Sequence, residues 1–191
     1  MVHTDPRKPD GLMPLAQAPK VLEIRVAAAV ASPDRSQFSS TMTLRNLPAL
    51  PSAAQLAALN RRHFKFNRSN GRWTINGELW DPSRKFEVLL NSAEIWTLES
   101  AGNWWHPVHM HFEEGRILTV NGVEAQTNPR YMGRRDMYVL ENSMTMDVLI
   151  HFRDFTGDYV SHCHNVVHED HAMMHAWTIV EALSPSAASA I

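Results

Sequence analysis

Between residues 62 and 182 the chain is written in short alternating runs broken by Gly, Pro, Asn and Asp, and that punctuation restricts the fold more than any other feature. Phe64 and Phe66 alternate with polar residues up to Asn70-Gly71, a dipeptide suited to a tight hairpin turn, and Trp73-Thr74-Ile75 follows. Further runs lie at Phe86–Leu90, Glu94–Leu98, Arg116–Val120, Met137–Leu140, Met144–Phe152, Tyr159–His164 and Trp177–Val180. Roughly nine short strands with this spacing predict an all-β domain, a sandwich or a small barrel.

The flanks read differently. Residues 1–20 are rich in Pro and polar residues without a period, and Val21–Val26 alternates as one short strand. The Ala-rich stretch Ser52–Asn60 predicts a short helix with Ser52 as its N-cap, after a linker marked by Pro48 and Pro51. The expected division is therefore a preface over 1–61, one β domain over 62–182 and a flexible C-terminal tail over 183–191.

Charge excludes some classes of partner. With 18 Lys+Arg against 20 Asp+Glu the net charge is -2, which supplies no basic footprint for nucleic acid or an anionic membrane. No run approaches the ~20 apolar residues of a membrane span, and no signal peptide is visible at the start. One cysteine, Cys163, permits no intrachain disulfide. The outlier is histidine, with 11 among 191 residues.

Most of the histidines sit in two segments, Trp104-Trp105-His106-Pro107-Val108-His109-Met110-His111 and Ser161-His162-Cys163-His164 continuing to Met174. Successive side chains of a strand point to opposite faces, so His162 and His164 share one face and Cys163 takes the other. Beyond the cysteine, His168 at +5 and Met173 at +10 lie on a loop long enough to fold back toward the sulfur. One further histidine would complete His₂Cys with a weak axial Met, the ligand set of a blue-copper electron-transfer site. His106 is the natural candidate, because Pro107 is expected to break local pairing and turn it away from His109 and His111. His109 and His111 share a face as well. With His162 and His164 they make four imidazoles opposite the thiol, and imidazole alone does not choose among copper, zinc, iron and nickel.

The pair His106-Pro107-Val108-His109-Met110-His111 and His162-Cys163-His164, followed by His168 and Met173, resembles the two C-terminal copper-binding motifs of multicopper oxidases. The stretch His162–Met174 is most similar to the bilirubin oxidase and spore-coat laccase branch. Phe64–Pro82, with Trp73-Thr74-Ile75-Asn76-Gly77 and Trp80-Asp81-Pro82, resembles the entry into that branch's third cupredoxin domain, and Val21–Val26 the last strand of its second. The resemblance implies a cupredoxin-like Greek-key sandwich over 62–182, preceded by the tail of a neighbouring domain. It implies type 1 copper at His106, Cys163, His168 and Met173, type 2 copper at His109, and type 3 copper at His111, His162 and His164. It further implies single-electron oxidation of a small-molecule or metal-ion reductant, reduction of dioxygen to water, proton supply by Glu169, and a periplasmic or extracellular location.

The chain also departs from the family pattern. The family's trinuclear cluster takes eight histidines, four of them from two His-x-His pairs in a first domain. Here only two such pairs exist, and His3, His63, His151, His171 and His175 form no third. A partner domain or subunit is therefore expected to supply the remainder. The alternatives are a stand-alone blue-copper electron carrier and an inactive copper-binding fragment. Trp104 and Trp105 are read as packing the sandwich or covering the copper pocket.

Overall fold

The computed structural model describes residues 46–182 continuously, together with 3–4, 12–13, 25, 35–37, 39 and 41–42. The run at Val21–Val26 (Arg25 apart) and the tail at 183–191 lie outside the described residues. Two short strands, β1 (His3–Thr4) and β2 (Leu12–Met13), pair antiparallel. Helix α1 (Ala53–Ala57) starts where a capping box allows it: the Ser52 hydroxyl accepts from the Gln55 N–H, and the Gln55 side chain accepts from the Ser52 N–H.

Eleven strands follow: β3 (Asn60–Ser69), β4 (Arg72–Ile75), β5 (Lys85–Leu89), β6 (Ala93–Ser100), β7 (His106–Met110), β8 (Arg116–Val120), β9 (Val123–Glu124), β10 (Met137–Leu140), β11 (Thr145–His151), β12 (Gly157–Cys163) and β13 (Met174–Val180). They form a six-stranded sheet, ordered β4-β3-β6-β11-β8-β9, and a five-stranded sheet, ordered β10-β7-β12-β13-β5. Both are mixed, since β3 runs parallel to β6 and β5 parallel to β13. The result is a cupredoxin-like β-sandwich. Asn70 and Gly71, both at positive φ, close the β3–β4 hairpin as two-residue loops require.

One expectation is corrected here. Residues 106–110 were not expected as a strand, because Pro107 was expected to interrupt pairing. The structure makes them the continuous strand β7, between β10 and β12. Pro107 fits because β12 pairs with β7 only from Val108 onward; beyond it the Pro107 carbonyl accepts from the His164 N–H, 2.6 Å away. His106 thus faces away from His109 and His111 by plain alternation.

Apolar residues at every second position of each strand line the space between the sheets. Phe64, Phe66, Trp96, Leu98, Ile117, Met146, Val148 and Ile150 come from one sheet, and Val88, Val108, Met110, Tyr138, Leu140, Trp177 and Ile179 from the other. Trp96 and Trp177 meet edge to face across the layer, with ring centroids 5.0 Å apart. Near the base of β6, Glu94 is buried and satisfied by Arg62, Asn60 and the Trp96 indole N–H. Burial opposes its charge, but these hydrogen bonds outweigh it and hold the carboxyl below its ordinary range.

His175 is the odd member of the interior. Its ring stacks on Phe64 at 4.2 Å, and both ring nitrogens are buried without a hydrogen-bond partner. Burial pulls its pKa down to about 3. The folded chain therefore binds fewer protons than the unfolded one between the ordinary histidine value and about pH 3. The stability that this neutral ring permits is complete above the ordinary value and lost as pH falls through that window. His175→Phe should keep the stack and remove the titration. Between pH 7 and pH 5 the variant should lose less stability than the parent, by up to about 2 kcal/mol. Urea midpoints at the two pH values measure this, and equal losses in both proteins would contradict it.

Candidate metal centre

Strand register builds the centre. In the β7–β12 pair, His162 lies opposite His109, Cys163 opposite Val108 and Ser161 opposite Met110. One face of this pair, carrying Cys163, Val108, Met110 and His106, is sealed in the core. The other carries His109, His111, His162 and His164.

After β12 the chain turns into helix α2 (Val166–Asp170), capped by the Asn165 side chain on the Val167 N–H at 3.2 Å. The cap is followed by His168, which is buried. Ala172 adopts φ 68°, the left-handed bend that returns the chain to the sheet. Its carbonyl accepts from the Trp80 N–H at 2.9 Å, which pins the bend to the β4–β5 loop. The Met173 carbonyl then accepts from the Cys163 N–H at 3.1 Å, and its own N–H donates to the His168 carbonyl at 3.2 Å. Met173 is fully buried, whereas Met174 pairs with His162 in the β12–β13 register and is only half-buried.

Three donor atoms converge on the core side. The Cys163 Sγ lies 3.6 Å from His106 Nδ1 and 3.4 Å from His168 Nδ1, and the two nitrogens are 3.2 Å apart. Among the described residues these three form the one group of His, Cys, Asp or Glu atoms close enough to hold a metal ion together. A point equidistant from all three lies about 2 Å from each, the length of a metal–imidazole bond. The far nitrogens, Nε2 of both rings, have no hydrogen-bond partner, so packing orients the rings. Trp73 stacks on His168 at 3.6 Å, and Phe66 lies 5.8 Å from His106.

Burial sets the protonation of this trio. Desolvation, with His168 as a lesser cause, lowers His106 to about 3. Desolvation, then the Arg68 and His171 charges, lowers His168 to about 4. The same burial pushes the Cys163 thiol up to about 12. At neutral pH both imidazoles are free bases, ready to donate, and the sulfur still holds its proton.

The outward cluster is more open. His111 Nε2 and His162 Nε2 are 3.2 Å apart, and the His109 ring lies 4.9 Å from His111 and 5.6 Å from both His162 and His164. His111 and His164 are exposed, His109 is half-buried and His162 is buried. Partial burial and the neighbouring imidazoles lower the His111 pKa, against a smaller opposing pull from Glu169. Glu169 reaches the cluster directly, its Oε1 3.3 Å from His162 Nδ1. Two contacts had no signal in the sequence: the Asp136 carbonyl 3.2 Å from His109 Nδ1, and Trp73 on His168. Of the remaining histidines, His63 pairs with Glu99, His151 is exposed at the end of β11, and His175 belongs to the core.

A sequence profile described as multicopper oxidase matches residues 47–182. The chain belongs to the multicopper oxidase family. Bilirubin oxidase of Albifimbria verrucaria is 35% identical over 164 residues, which cover 83% of this chain and 28% of that enzyme. The multicopper oxidase mco of Staphylococcus haemolyticus is 34% identical over 118 residues, 59% of this chain and 26% of the relative. The fold matches a crystal structure of laccase from Pediococcus acidilactici with a TM-score of 0.64 at 22% identity, over 72% of this chain and 30% of that one. This multicopper oxidase chain thus spans less than a third of the length of these relatives. Copper is the family's cofactor, and a thiol with two neutral imidazoles, closed off from water, suits it.

The proton inventory leads to a measurement. Binding of a metal by Cys163, His106 and His168 must expel the thiol proton and no imidazole proton at pH 7. Cu(II) or Co(II) titration should release about one proton for the ion held by the thiol, and the apparent affinity of that site should rise about tenfold per pH unit above pH 5. Cys163→Ser should abolish that release. Binding without proton release would show that the thiol is not a ligand.

Proposed function

We propose that this chain is the C-terminal, copper-bearing part of a laccase-like multicopper oxidase. Residues 62–182 form the copper-binding domain, and residues 1–61 the tail of a preceding domain and a linker. His106, Cys163, His168 and Met173 hold type 1 copper; His109 serves type 2 copper, and His111, His162 and His164 serve type 3 copper. The observation that carries this is the buried triangle of Cys163 Sγ, His106 Nδ1 and His168 Nδ1. Copper held there and at the four outward histidines would supply one-electron redox chemistry, for oxidation of a small-molecule or metal-ion reductant and reduction of dioxygen to water.

The chain's own residues divide the work by face. His106 and His168 donate as neutral bases, and the sandwich core excludes water from them. Cys163 is bonded through the backbone to His162 on one side and His164 on the other, so the two faces communicate through a few covalent bonds. Glu169, half-exposed beside His162, can hold a proton next to the outward cluster and exchange it with solvent. Four imidazoles on an open face make half of an eight-histidine cluster, and a partner domain or subunit completes it. A carrier using only the inner site has no need of this second cluster, which favours the oxidase reading.

The copper-loaded chain should be blue under oxidising conditions, because a thiolate ligand gives strong visible charge transfer, and Cys163→Ser should remain folded and colourless. A colourless loaded parent would sink the type 1 assignment. Met173→Leu should keep the colour and raise the potential, since the axial ligand tunes it, while Met174→Leu shifts it far less. Redox titration of both variants separates them, and equal shifts would reject Met173 as the thioether ligand. The chain alone should not sustain oxygen uptake with an artificial donor. Steady turnover with about four coppers per chain would overturn the half-site reading.

A further inference from the structure

The stretch from Asn60 to Ile75 carries Arg61, Arg62, His63, Lys65, Arg68 and Arg72 and not one carboxylate. The base of this hairpin is neutralised from other strands. Arg61 pairs with Asp147 at 2.9 Å, Arg62 with Glu94 at 2.6 Å, and His63 and Lys65 with Glu99 at 2.8 and 3.2 Å. Its tip is not: neither Arg68 nor Arg72 has an ion-pair partner among the described residues.

The position of Arg68 is specific. It faces Trp73 in the hairpin register, and its Cζ lies 5.1 Å from the Trp73 ring and 5.8 Å from the Trp104 ring. The two indoles meet edge to face at 4.9 Å, and Trp73 stacks on His168 at 3.6 Å with 26° between planes. Trp73 is 4% exposed and His168 1%, so a molecule arriving from water touches neither. Arg68 is exposed and Trp104 half-buried, and these make the first contact. A planar guanidinium beside indoles accepts an aromatic ring by stacking and an anionic group by charge-assisted hydrogen bonds.

We propose that Arg68 is a specificity-determining residue for the reducing substrate, seating the carboxylate or sulfonate of an anionic aromatic donor against Trp104, above the buried Trp73. The donor's ring is then coupled to His168 through the Trp73 indole instead of by touching the imidazole. This rests on the reading of His168 as a type 1 copper ligand. In each encounter the donor loses one electron and becomes its radical, a phenolic donor also releasing its proton to water, and the acceptor is the copper(II) ion of that site.

The seat is tested first without copper. The full chain is titrated with naphthalene-2-sulfonate and with the neutral naphthalene-2-sulfonamide, both redox-inert here, by calorimetry and tryptophan fluorescence. The sulfonate should bind about fivefold more tightly, the size of one exposed charge pair. Arg68→Gln should abolish that preference. Arg72→Gln makes the same charge change one strand position away, where alternation turns the side chain to the other face, and should keep most of it. No preference in the parent, a preference surviving Arg68→Gln, or equal loss in both variants would overturn the proposal. The second arm follows bleaching of the copper-loaded chain by a sulfonated phenol and by a trimethylammonium-bearing phenol. The sulfonated donor should be faster in the parent, and Arg68→Gln should narrow the ratio by about fivefold. A chain that never turns blue but keeps the Arg68-dependent sulfonate preference would support the seat and sink the copper reading. A blue chain bleached equally by both donors would overturn Arg68 as a specificity residue.

Discussion

The centre depends on the register of β12 against β7. With His162 opposite His109 and Cys163 opposite Val108, the last two residues of β12 and the His164 that follows them serve two separate places. A slip of one residue would exchange the faces, putting two imidazoles into the apolar core and the thiol outside. The neighbours hold the register. Leu140 and Tyr138 of β10 lie opposite His106 and Val108, and Ala176 of β13 lies opposite Val160. Leu140, Tyr138, Val108 and Ala176 are buried apolar positions, and a slip of one residue would turn such side chains to the opposite face, so hydrophobic packing sets the arrangement of the donor atoms.

The two faces then acquire opposite properties from the same residue types. Inside, desolvation keeps His106 and His168 neutral and the thiol protonated, and Trp73 closes the space over His168. Outside, His111 and His164 remain open to solvent, and partial burial with the neighbouring imidazoles lowers the pKa of His111. A dry, preformed donor triangle beside an open group of four imidazoles is what the proposed division between electron entry and oxygen chemistry requires.

Much of this was legible in order along the chain. Asn70-Gly71 announced its hairpin because both positions demand positive φ, and Ser52 announced its helix because an N-cap needs an acceptor side chain. The return of the chain from Cys163 to His168 was legible because its spacing is local, and it brings His168 Nδ1 to 3.4 Å from the Cys163 sulfur. Strand β7 was not, since a proline in a strand reads as an interruption and only the spatial neighbours show which hydrogen bond it leaves out. Nor was the hairpin's charge imbalance informative before folding. Which of its cations are neutralised depends on Asp147, Glu94 and Glu99, all distant in sequence.

The sequence by itself determined a two-faced arrangement of thiol and imidazoles, because strand periodicity is a local property of the backbone. It also determined the kind of donor available, because residue chemistry does not depend on context. Only the tertiary structure decided that His106 and His168 meet Cys163 within 3.6 Å, that Asp136 touches His109, and that Trp73 stands between solvent and His168. Those contacts join segments whose separation along the chain leaves no periodic trace. They form because two sheets bury their apolar faces against each other, and proton affinities shift only when that burial removes water.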